Sequence, residues 1–427
     1  MTSWWVKGPL PIRMSESKWV GSVTGIGARH ASSSTNVSDA RRSVRAMNEA
    51  RRRRAAKQDR RDARRALNRR RVTVDDNVLI TAIRSALAGH PLDLLHSASS
   101  LLSTFPGEEL SLADAIAVLG SWQCRESTAV LAVWGEMLVD DEALRERCRQ
   151  EVAKRRDHLP KWLVGLRRVQ VNRAVRRADA LGDGDELFVG LVMADSTELT
   201  LGVILDHNVL SSVTDIAILA EPFEQAVGRQ IEIYDPTVSF VPMDLADART
   251  WVDDGLRWSA LLQRSTSAEW REALPMVKWV LAQLPDGGCG YQRPEWEEDD
   301  ADDLLDGFLS SPAGAPFAHV DYRVLLRELW DTGCGDPVRW SSSRISDVLR
   351  SRLHDYDLPL EIVLDAPALL RAFIPFAHGQ SGIAQHLTDE AIATIDRLSL
   401  GYRRQLLANT IDHDDDDVWL SYPDRAS

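Results

Sequence analysis

Residues 186–205 read ELFVGLVMADSTELTLGVIL, and this stretch decides the fold. Two apolar runs, 186–194 and 198–205, lie on either side of the polar loop Asp195-Ser196-Thr197. Apolar, β-branched runs separated by a short polar loop predict an antiparallel β-hairpin. An isolated hairpin is not stable in water, so further strands and a helical cover must surround it. Three later runs are also predicted as strands: 213–220, 231–235 and 239–243.

The hairpin lies between two stretches with helical periodicity. In 75–184 apolar residues recur every three to four positions, and 159–181 is predicted as one long helix. Residues 265–411 show the same period, interrupted by the acidic segment 294–307 and the Gly/Pro loop 332–337. The predicted fold is therefore mainly α (α+β), with helical N-terminal and C-terminal regions flanking a small antiparallel sheet.

Composition divides the chain into six predicted segments. The N-terminal tail has an alternative explanation, in which translation starts at Met14 or Met47 and the residues upstream are not translated. The segments are a disordered tail at 1–40, an Arg-rich basic helix at 41–71, a helical region at 75–184, a small α+β region with the hairpin at 185–264, a C-terminal helical region at 265–411 and an acidic tail at 412–427.

The net charge of −13 hides two oppositely charged parts. Residues 1–71 hold nineteen Lys/Arg and five Asp/Glu, a net charge of +14, whereas residues 72–427 hold 32 basic and 59 acidic side chains, a net charge of −27. An acidic body repels phosphate groups. Any contact with nucleic acid is therefore predicted for the basic segment alone.

The basic segment is densest in MNEARRRRAAKQDRRDARRALNRRR, residues 47–71. Each arginine presents a planar fork that pairs with phosphate, and a row of them releases counterions on binding. No aromatic residue interleaves 41–71 and no heptad seam is present, so binding to RNA, the ribosome or DNA is predicted without sequence specificity. The predicted contacts are Arg51, Arg52, Arg53, Arg54, Arg60, Arg61, Arg64, Arg65, Arg69, Arg70 and Arg71.

The same arm has alternative partners. It can dock on an acidic protein, it can dock within the molecule on the chain's own acidic body, or it can be a solvated helix with no partner. The leading hypothesis is a non-enzymatic protein that binds a polyanion. A protein–protein adaptor is the first alternative, and a hydrolase-like enzyme is the second.

The enzyme alternative depends on two His/Asp pairs. Asp206 and His207 stand at the end of the second hairpin strand, where polar side chains can project into a cleft as an acid/base pair. His354 and Asp355 form a second adjacent pair within a helical region. The alternative explanation is ordinary loop chemistry, because Asp and Asn commonly end strands and form turns.

Several kinds of site are not encoded. The chain contains no P-loop, no Gly-x-Gly-x-x-Gly after a strand and no Gly-x-Ser-x-Gly elbow, and its cysteines lack Cys-x-x-Cys spacing, so no cofactor and no metal site are predicted. No run of eighteen apolar residues exists, and four cysteines in a long chain suit a reducing compartment. A cytoplasmic protein without a membrane span is predicted, and its oligomeric state stays open.

Two segments carry a resemblance. ELTLGVILDHNVLSSVTDIAIL (198–219) and the combination of CGDPVRW (334–340) with LLRAFIPFAHGQSGIAQHLTDEAIATID (369–396) resemble an uncharacterised family of hypothetical proteins from actinobacteria. The resemblance covers much of 75–400. It implies a hairpin that ends in Asp-His-Asn, a Gly-Asp-Pro-x-Arg-Trp loop and a bacterial cytoplasmic setting. It implies no activity and no catalytic residue.

Overall fold

The protein is described by a computed structural model, in which the chain divides into two units after Arg84. The predicted tail at 1–40 and the arm at 41–71 lie outside the described residues. The described ranges are 78–105, 111–233, 238–262, 268–350 and 358–419.

Helices fill the chain before the sheet, as the apolar period predicts. Within the described residues they are α1 Val78–Ala88, α2 Pro91–Ser103, α3 Leu112–Ser121, α4 Arg125–Met137, α5 Glu142–Ala153 and α6 Lys161–Val164. Most side chains of α4 are buried. Its Trp134 donates an indole hydrogen bond to the Ala98 carbonyl of α2 (2.9 Å).

Five strands form one antiparallel sheet in the order β4-β3-β2-β1-β5. The predicted hairpin is confirmed as its centre, with Phe188 opposite Gly202. The strands predicted at 213–220 and 239–243 are confirmed as well. The bounds are β1 Gln170–Ala178, β2 Gly184–Val192, β3 Glu198–Asp206, β4 Ser212–Leu219 and β5 Ser239–Met243.

The hairpin turn closes through local hydrogen bonds. Met193 N–H donates to the Thr197 carbonyl (2.9 Å), and Ser196 N–H donates to the Met193 carbonyl (2.9 Å). The Asp195 carboxylate accepts from Thr197 N–H (3.1 Å), while Ser196 takes a positive φ of 72°. Short polar side chains bond their own backbone in this way, which is why this loop reverses the chain.

The predicted helix over 159–181 is wrong in its second half, because residues 170–178 form β1. The predicted description of 75–184 as helical therefore fails at its end, and the sheet begins before residue 185. Arginine and alanine have good helix propensity, but propensity is a weak local preference. β1 instead pairs along its length with β2 and along half of it with β5.

Cross-strand charges add to that pairing. Arg176 forms an ion pair with Asp185 (3.1 Å) and Arg177 with Glu186 (2.9 Å), both across the β1–β2 ladder. The two acids are buried, so the arginines of β1 are needed to neutralise them. These long-range contacts outweigh the local preference for helix.

Helices cover both faces of the sheet. On one face α7, Phe223–Ile233, packs Phe223 against Gly190 of β2. On the opposite face α8, Leu245–Leu261, brings Gly255 against Leu205 of β3. The central strands are therefore buried on both sides. The strand predicted at 231–235 is wrong at its start, because residues 231–233 continue α7; the remainder lies outside the described residues.

The predicted C-terminal helices are confirmed, and they enclose a second core around Phe308, Trp340 and Phe373. Phe308 and Phe373 meet edge to face with centroids 5.1 Å apart. The acidic segment predicted to interrupt them is mostly helix, with Glu298, Asp299 and Asp300 in its first turn, where the helix dipole favours acids. The helices are α9 Ala268–Leu281, α10 Glu298–Leu309, α11 Val320–Trp330, α12 Ser342–Arg350, α13 Leu360–Leu364, α14 Ala366–Ser381 and α15 Gln385–Trp419.

None of the helices in the part of the chain that the structure describes is long and apolar enough to cross a membrane.

We predict that Gly255→Ala lowers the thermal unfolding midpoint. A β-carbon at this position would lie 2.7 Å from Leu205 Cδ2 and 2.8 Å from the Ser211 carbonyl oxygen, so backbone must shift. Overpacking of this kind costs about 1–3 kcal/mol, more than alanine gains in helix propensity. Gly228→Ala in α7 is the matched control, because nothing lies within 4 Å of the added carbon. A Gly255→Ala midpoint at or above that of the control would contradict the packing described.

Candidate functional site

The predicted pair Asp206 and His207 lies where β3 ends. Residues His207–Val209 form a single 3-10 turn, and the Asp206 carboxylate caps it by accepting from Asn208 N–H (3.1 Å). The Asn208 side-chain oxygen accepts from Cys334 N–H (3.0 Å), 126 residues further along the chain. The imidazole of His207 bonds to other partners. The segment is thus a turn whose three side chains hold three different contacts.

Both ring nitrogens of His207 are bonded. Nε2 lies 3.1 Å from Asp185 Oδ2, and Nδ1 lies 2.9 Å from Ser211 Oγ. Arg176 Nη1 lies 3.1 Å from the same Asp185 oxygen. Because an ionised carboxylate only accepts hydrogen bonds, we assign the ring proton to Nε2. Nδ1 then accepts from the hydroxyl of Ser211.

Aromatic rings fix the imidazole plane. Tyr291 stacks on His207 with centroids 3.7 Å apart and an interplanar angle of 8°. Trp251 of α8 meets the His207 ring edge to face at 5.9 Å and the Tyr291 ring at 5.1 Å. Burial raises the pKa of Tyr291 to about 12, so the phenol stays neutral. The stacked ring of Tyr291 and the two hydrogen bonds of His207 together hold the orientation of the imidazole.

Ser211 stands in a strained turn. Leu210 and Ser211 both have φ of 54°, a left-handed conformation that non-glycine residues rarely adopt. Such strain costs about 1–3 kcal/mol per residue and persists only where the surroundings impose it. The turn lies beside a cavity of about 90 Å³, which is lined among others by Ser211, Trp251, Trp258 and Tyr291. Ser211 itself is half-buried, and it both bonds the imidazole and belongs to the lining of this cavity.

A second buried polar cluster adjoins the first through Asn208. It contains Asp183 and Arg344, which are 9% and 0% exposed. Burial raises the pKa of Asp183 to about 6, and the nearby Ser341 and Asn208 side chains act in the opposite direction. Asp183 Oδ1 and Asn208 Nδ2 still lack a hydrogen bond of good geometry. The carboxylate is therefore incompletely compensated in its ionised form.

The guanidinium of Arg344 organises the loop before α12. Nη2 donates to the Trp330 carbonyl (2.8 Å), and Nη1 donates to the carbonyls of Asp336 and Arg339 (the latter at 2.7 Å). Its carbon lies 4.0 Å above the Trp340 ring. Burial lowers the pKa of Arg344, while the neighbouring acids oppose that shift. The loop thus wraps around a buried cation.

Gly333 lets this loop approach the hairpin. Its φ is 60°, and a β-carbon there would lie 2.6 Å from the Asn208 side-chain oxygen and 3.0 Å from Arg344 Cγ. Only glycine fits this backbone and this space without displacing its neighbours.

Other predicted site residues lie outside the described residues: the pair His354 and Asp355, and the eleven arginines between residues 51 and 71. Sequence reasoning did not identify Asp185, Ser211 or Tyr291. Ser211 follows His207 by four residues, so a tight turn at Asp-His-Asn could have suggested it. Asp185 reaches His207 only through the β2–β3 register, which pairs Asp185 with Leu205.

A larger cavity lies elsewhere, between α8 and α9, with a volume of about 750 Å³. The three cations that line it among the described residues are already paired: Arg249 with Asp286 (2.7 Å), Arg257 with Asp254 (2.9 Å) and Lys278 with Asp140 (2.5 Å). Paired charges offer little to a ligand of either sign. Within the described ranges no group of three or more His, Cys, Asp or Glu side chains is placed to hold a metal ion.

Comparison with protein families, with curated proteins and with solved structures finds no match to this chain. The resemblance of 198–219 and 334–396 to hypothetical proteins from actinobacteria therefore stays a prediction.

We predict that Asp183→Asn removes a pH-dependent penalty on stability. The folded-state pKa of about 6 lies above the ordinary value of 3.8. Between these values the folded protein keeps a proton that the unfolded chain has lost, so stability falls as pH rises through pH 4–6 and is constant above. Two pKa units correspond to about 3 kcal/mol. The free energy of unfolding of the variant minus that of the wild type should therefore increase by about 2–3 kcal/mol as the pH rises from 4.5 to 7.5.

The measurement is urea unfolding of both proteins across that range, expressed as a difference. The difference is needed because His378, whose pKa burial lowers to about 4, imposes the opposite slope on both proteins. Asp303→Asn, on the exposed surface of α10, is the control and should show a flat difference. A flat difference for Asp183→Asn would show that the ionised carboxylate is fully compensated.

Proposed function

We propose that this protein binds a polyanion, RNA or DNA, through the basic arm at 41–71 and without sequence specificity. The observation that carries the proposal is the charge division of the chain: a net charge of +14 in residues 1–71 against −27 in the remainder. Eleven arginines fall within residues 51–71. Arginines so closely spaced neutralise successive phosphates and release counterions, which is the main source of sequence-independent affinity.

Exposed carboxylates in the described residues support assigning polyanion binding to the arm and not to the body. On α10 the carboxylates of Asp302 and Asp306 are occupied by Arg323, at 3.1 and 2.5 Å. Glu298 and Asp303 of the same helix are exposed. A surface with exposed carboxylates repels phosphate, so the body is not itself expected to hold nucleic acid.

The exposed carboxylates also give the rival hypothesis its basis. They offer the arm a counter-surface of opposite charge, either within the molecule or, by analogy, on an acidic protein partner. A polyanion would then compete with that surface for the same arginines, and removing the carboxylates would change its apparent affinity.

We predict that binding of full-length protein to a single-stranded RNA weakens steeply with salt. Each neutralised phosphate contributes about −0.7 to the slope of log K against log salt, so eleven arginines set a limit of about −8. Replacing all eleven by glutamine should abolish retention on the RNA above about 100 mM salt, whereas replacing them by lysine should keep most of the slope. Fluorescence anisotropy across a salt series measures both.

The outcome that contradicts polyanion binding is equal affinity of the wild type and the glutamine variant at every salt concentration. An equal slope in RNA and DNA of the same length would support sequence-independent recognition of the phosphate backbone.

We predict further that neutralising four acids at the N-terminus of α10, including its N-cap Glu297, distinguishes polyanion binding from inward docking of the arm. If the arm docks inward, the quadruple variant Glu297→Gln, Glu298→Gln, Asp299→Asn and Asp300→Asn should bind RNA at least tenfold more tightly at low salt, because a competitor is gone. A matched variant neutralises four exposed acids elsewhere, at Glu232, Glu269, Glu361 and Asp389. Equal gains in the two variants would point to general charge repulsion and against a specific docking surface.

A further inference from the structure

The hydrogen-bonded chain Asp185–His207–Ser211 places a carboxylate, an imidazole and a hydroxyl in series at 3.1 and 2.9 Å. We infer that Ser211 is an activated nucleophile and that this site cleaves small acyl esters. The inference is independent of the basic arm. It sharpens the enzyme alternative, because the reacting group is Ser211 and not Asp206.

Two features distinguish the arrangement from an ordinary buried histidine. The serine is held at φ 54° beside a second strained residue, Leu210, and its hydroxyl lies 2.9 Å from the imidazole. Backbone strain of this kind concentrates where function requires a fixed side chain. Ser211 also lines the cavity that Trp251, Trp258 and Tyr291 help to form, a space of about 90 Å³ that a small acyl group can enter.

The imidazole has the proton arrangement that the chemistry needs. Arg176 holds the Asp185 carboxylate as an acceptor, so Nε2 of His207 carries the proton and Nδ1 is free to accept one. The stack of Tyr291 prevents the ring from turning away. A serine whose hydroxyl donates to such a ring is the pattern of an activated nucleophile oriented by a third group.

The proposed reaction consumes only the ester and water. Oγ of Ser211 adds to the ester carbonyl carbon as its proton moves to Nδ1 of His207. The ester carbon–oxygen bond then breaks, and the leaving alcohol takes that proton. Water attacks the acyl-serine, gives a proton to Nδ1 and releases the carboxylic acid, while Ser211 regains its hydrogen. Asp185 is a positioning residue that stabilises the imidazolium and stays ionised.

The cavity selects the substrate class. Its volume of about 90 Å³ accommodates an acetyl-sized group, and its aromatic lining suits an apolar acyl chain. Asp254 also lines it, but its carboxylate is paired with Arg257 (2.9 Å), and the lining contains, among the described residues, no lysine or arginine to hold an anion. The expected substrate is a neutral ester of a short acyl group.

The test is covalent labelling of full-length protein with a neutral fluorophosphonate probe, followed by peptide mass mapping. The activated hydroxyl should form an oxygen–phosphorus bond at Ser211 with release of fluoride. Ser211→Gly removes the hydroxyl and suits the positive φ, so it keeps the fold while losing the label. His207→Gln should slow labelling at least about 100-fold, the usual contribution of a general base. Circular dichroism confirms that each variant is folded.

Ser196 is the internal control, because it also has a positive φ but lies in the exposed β2–β3 turn. Labelling of Ser211 at least 100-fold faster than Ser196, together with p-nitrophenyl acetate hydrolysis that falls in Ser211→Gly, supports the inference. Labelling of Ser211 no faster than Ser196, or unchanged in folded His207→Gln, overturns it.

The role of Asp185 has its own readout in the nitrogen-15 spectrum of the histidine rings. In the wild type the proton of His207 should reside on Nε2. In Asp185→Asn an amide can donate to Nε2, which moves the proton to Nδ1 and leaves Ser211 without an acceptor. Loss of labelling together with this change of tautomer supports positioning by Asp185. Unchanged labelling with the altered tautomer overturns the proposed proton path.

Discussion

The carboxylate of Asp185 is the interaction around which the sheet and its surroundings are arranged. It lies inside the protein at the open end of the central hairpin, where an unpaired charge would be strongly unfavourable. Arg176 and His207 share its Oδ2 oxygen. This requirement explains why β1 carries arginines into a sheet, and why the turn after β3 points its histidine inward. Tyr291 stacks on the ring of His207 and covers one of its faces.

A second buried charge, the guanidinium of Arg344, lies among the C-terminal helices. Arg344 is fully buried, and its neighbours include the carbonyls of the 330–339 loop and the incompletely compensated Asp183. Asn208 joins this loop to the hairpin through Cys334. The two regions that the sequence separates into sheet and helical bundle are thus connected by polar contacts. Buried polar groups of this kind constrain geometry more reliably than they add stability.

The two proposed activities make different demands on the chain. Polyanion binding by the arm depends on the density of arginine side chains and on salt, and its strength comes from counterion release. Ester cleavage at Ser211 depends on distances of about 3 Å among groups supplied by β2 and the turn after β3, and on the Tyr291 ring stacked on His207. One activity can therefore be removed by substitution without altering the residues that carry the other.

The sequence by itself determined the central hairpin, the helical regions on either side and the charge division, because these follow from local periodicity and composition. It misassigned residues 170–178, where arginine and alanine favour helix but long-range pairing with β2 and β5 prevails. It offered His207 as a candidate site residue but paired it with Asp206, its neighbour in the chain. Only the tertiary structure decided that the imidazole bonds Asp185 and Ser211, because strand register and a strained turn bring those atoms together, and neither leaves a periodic signal in the sequence.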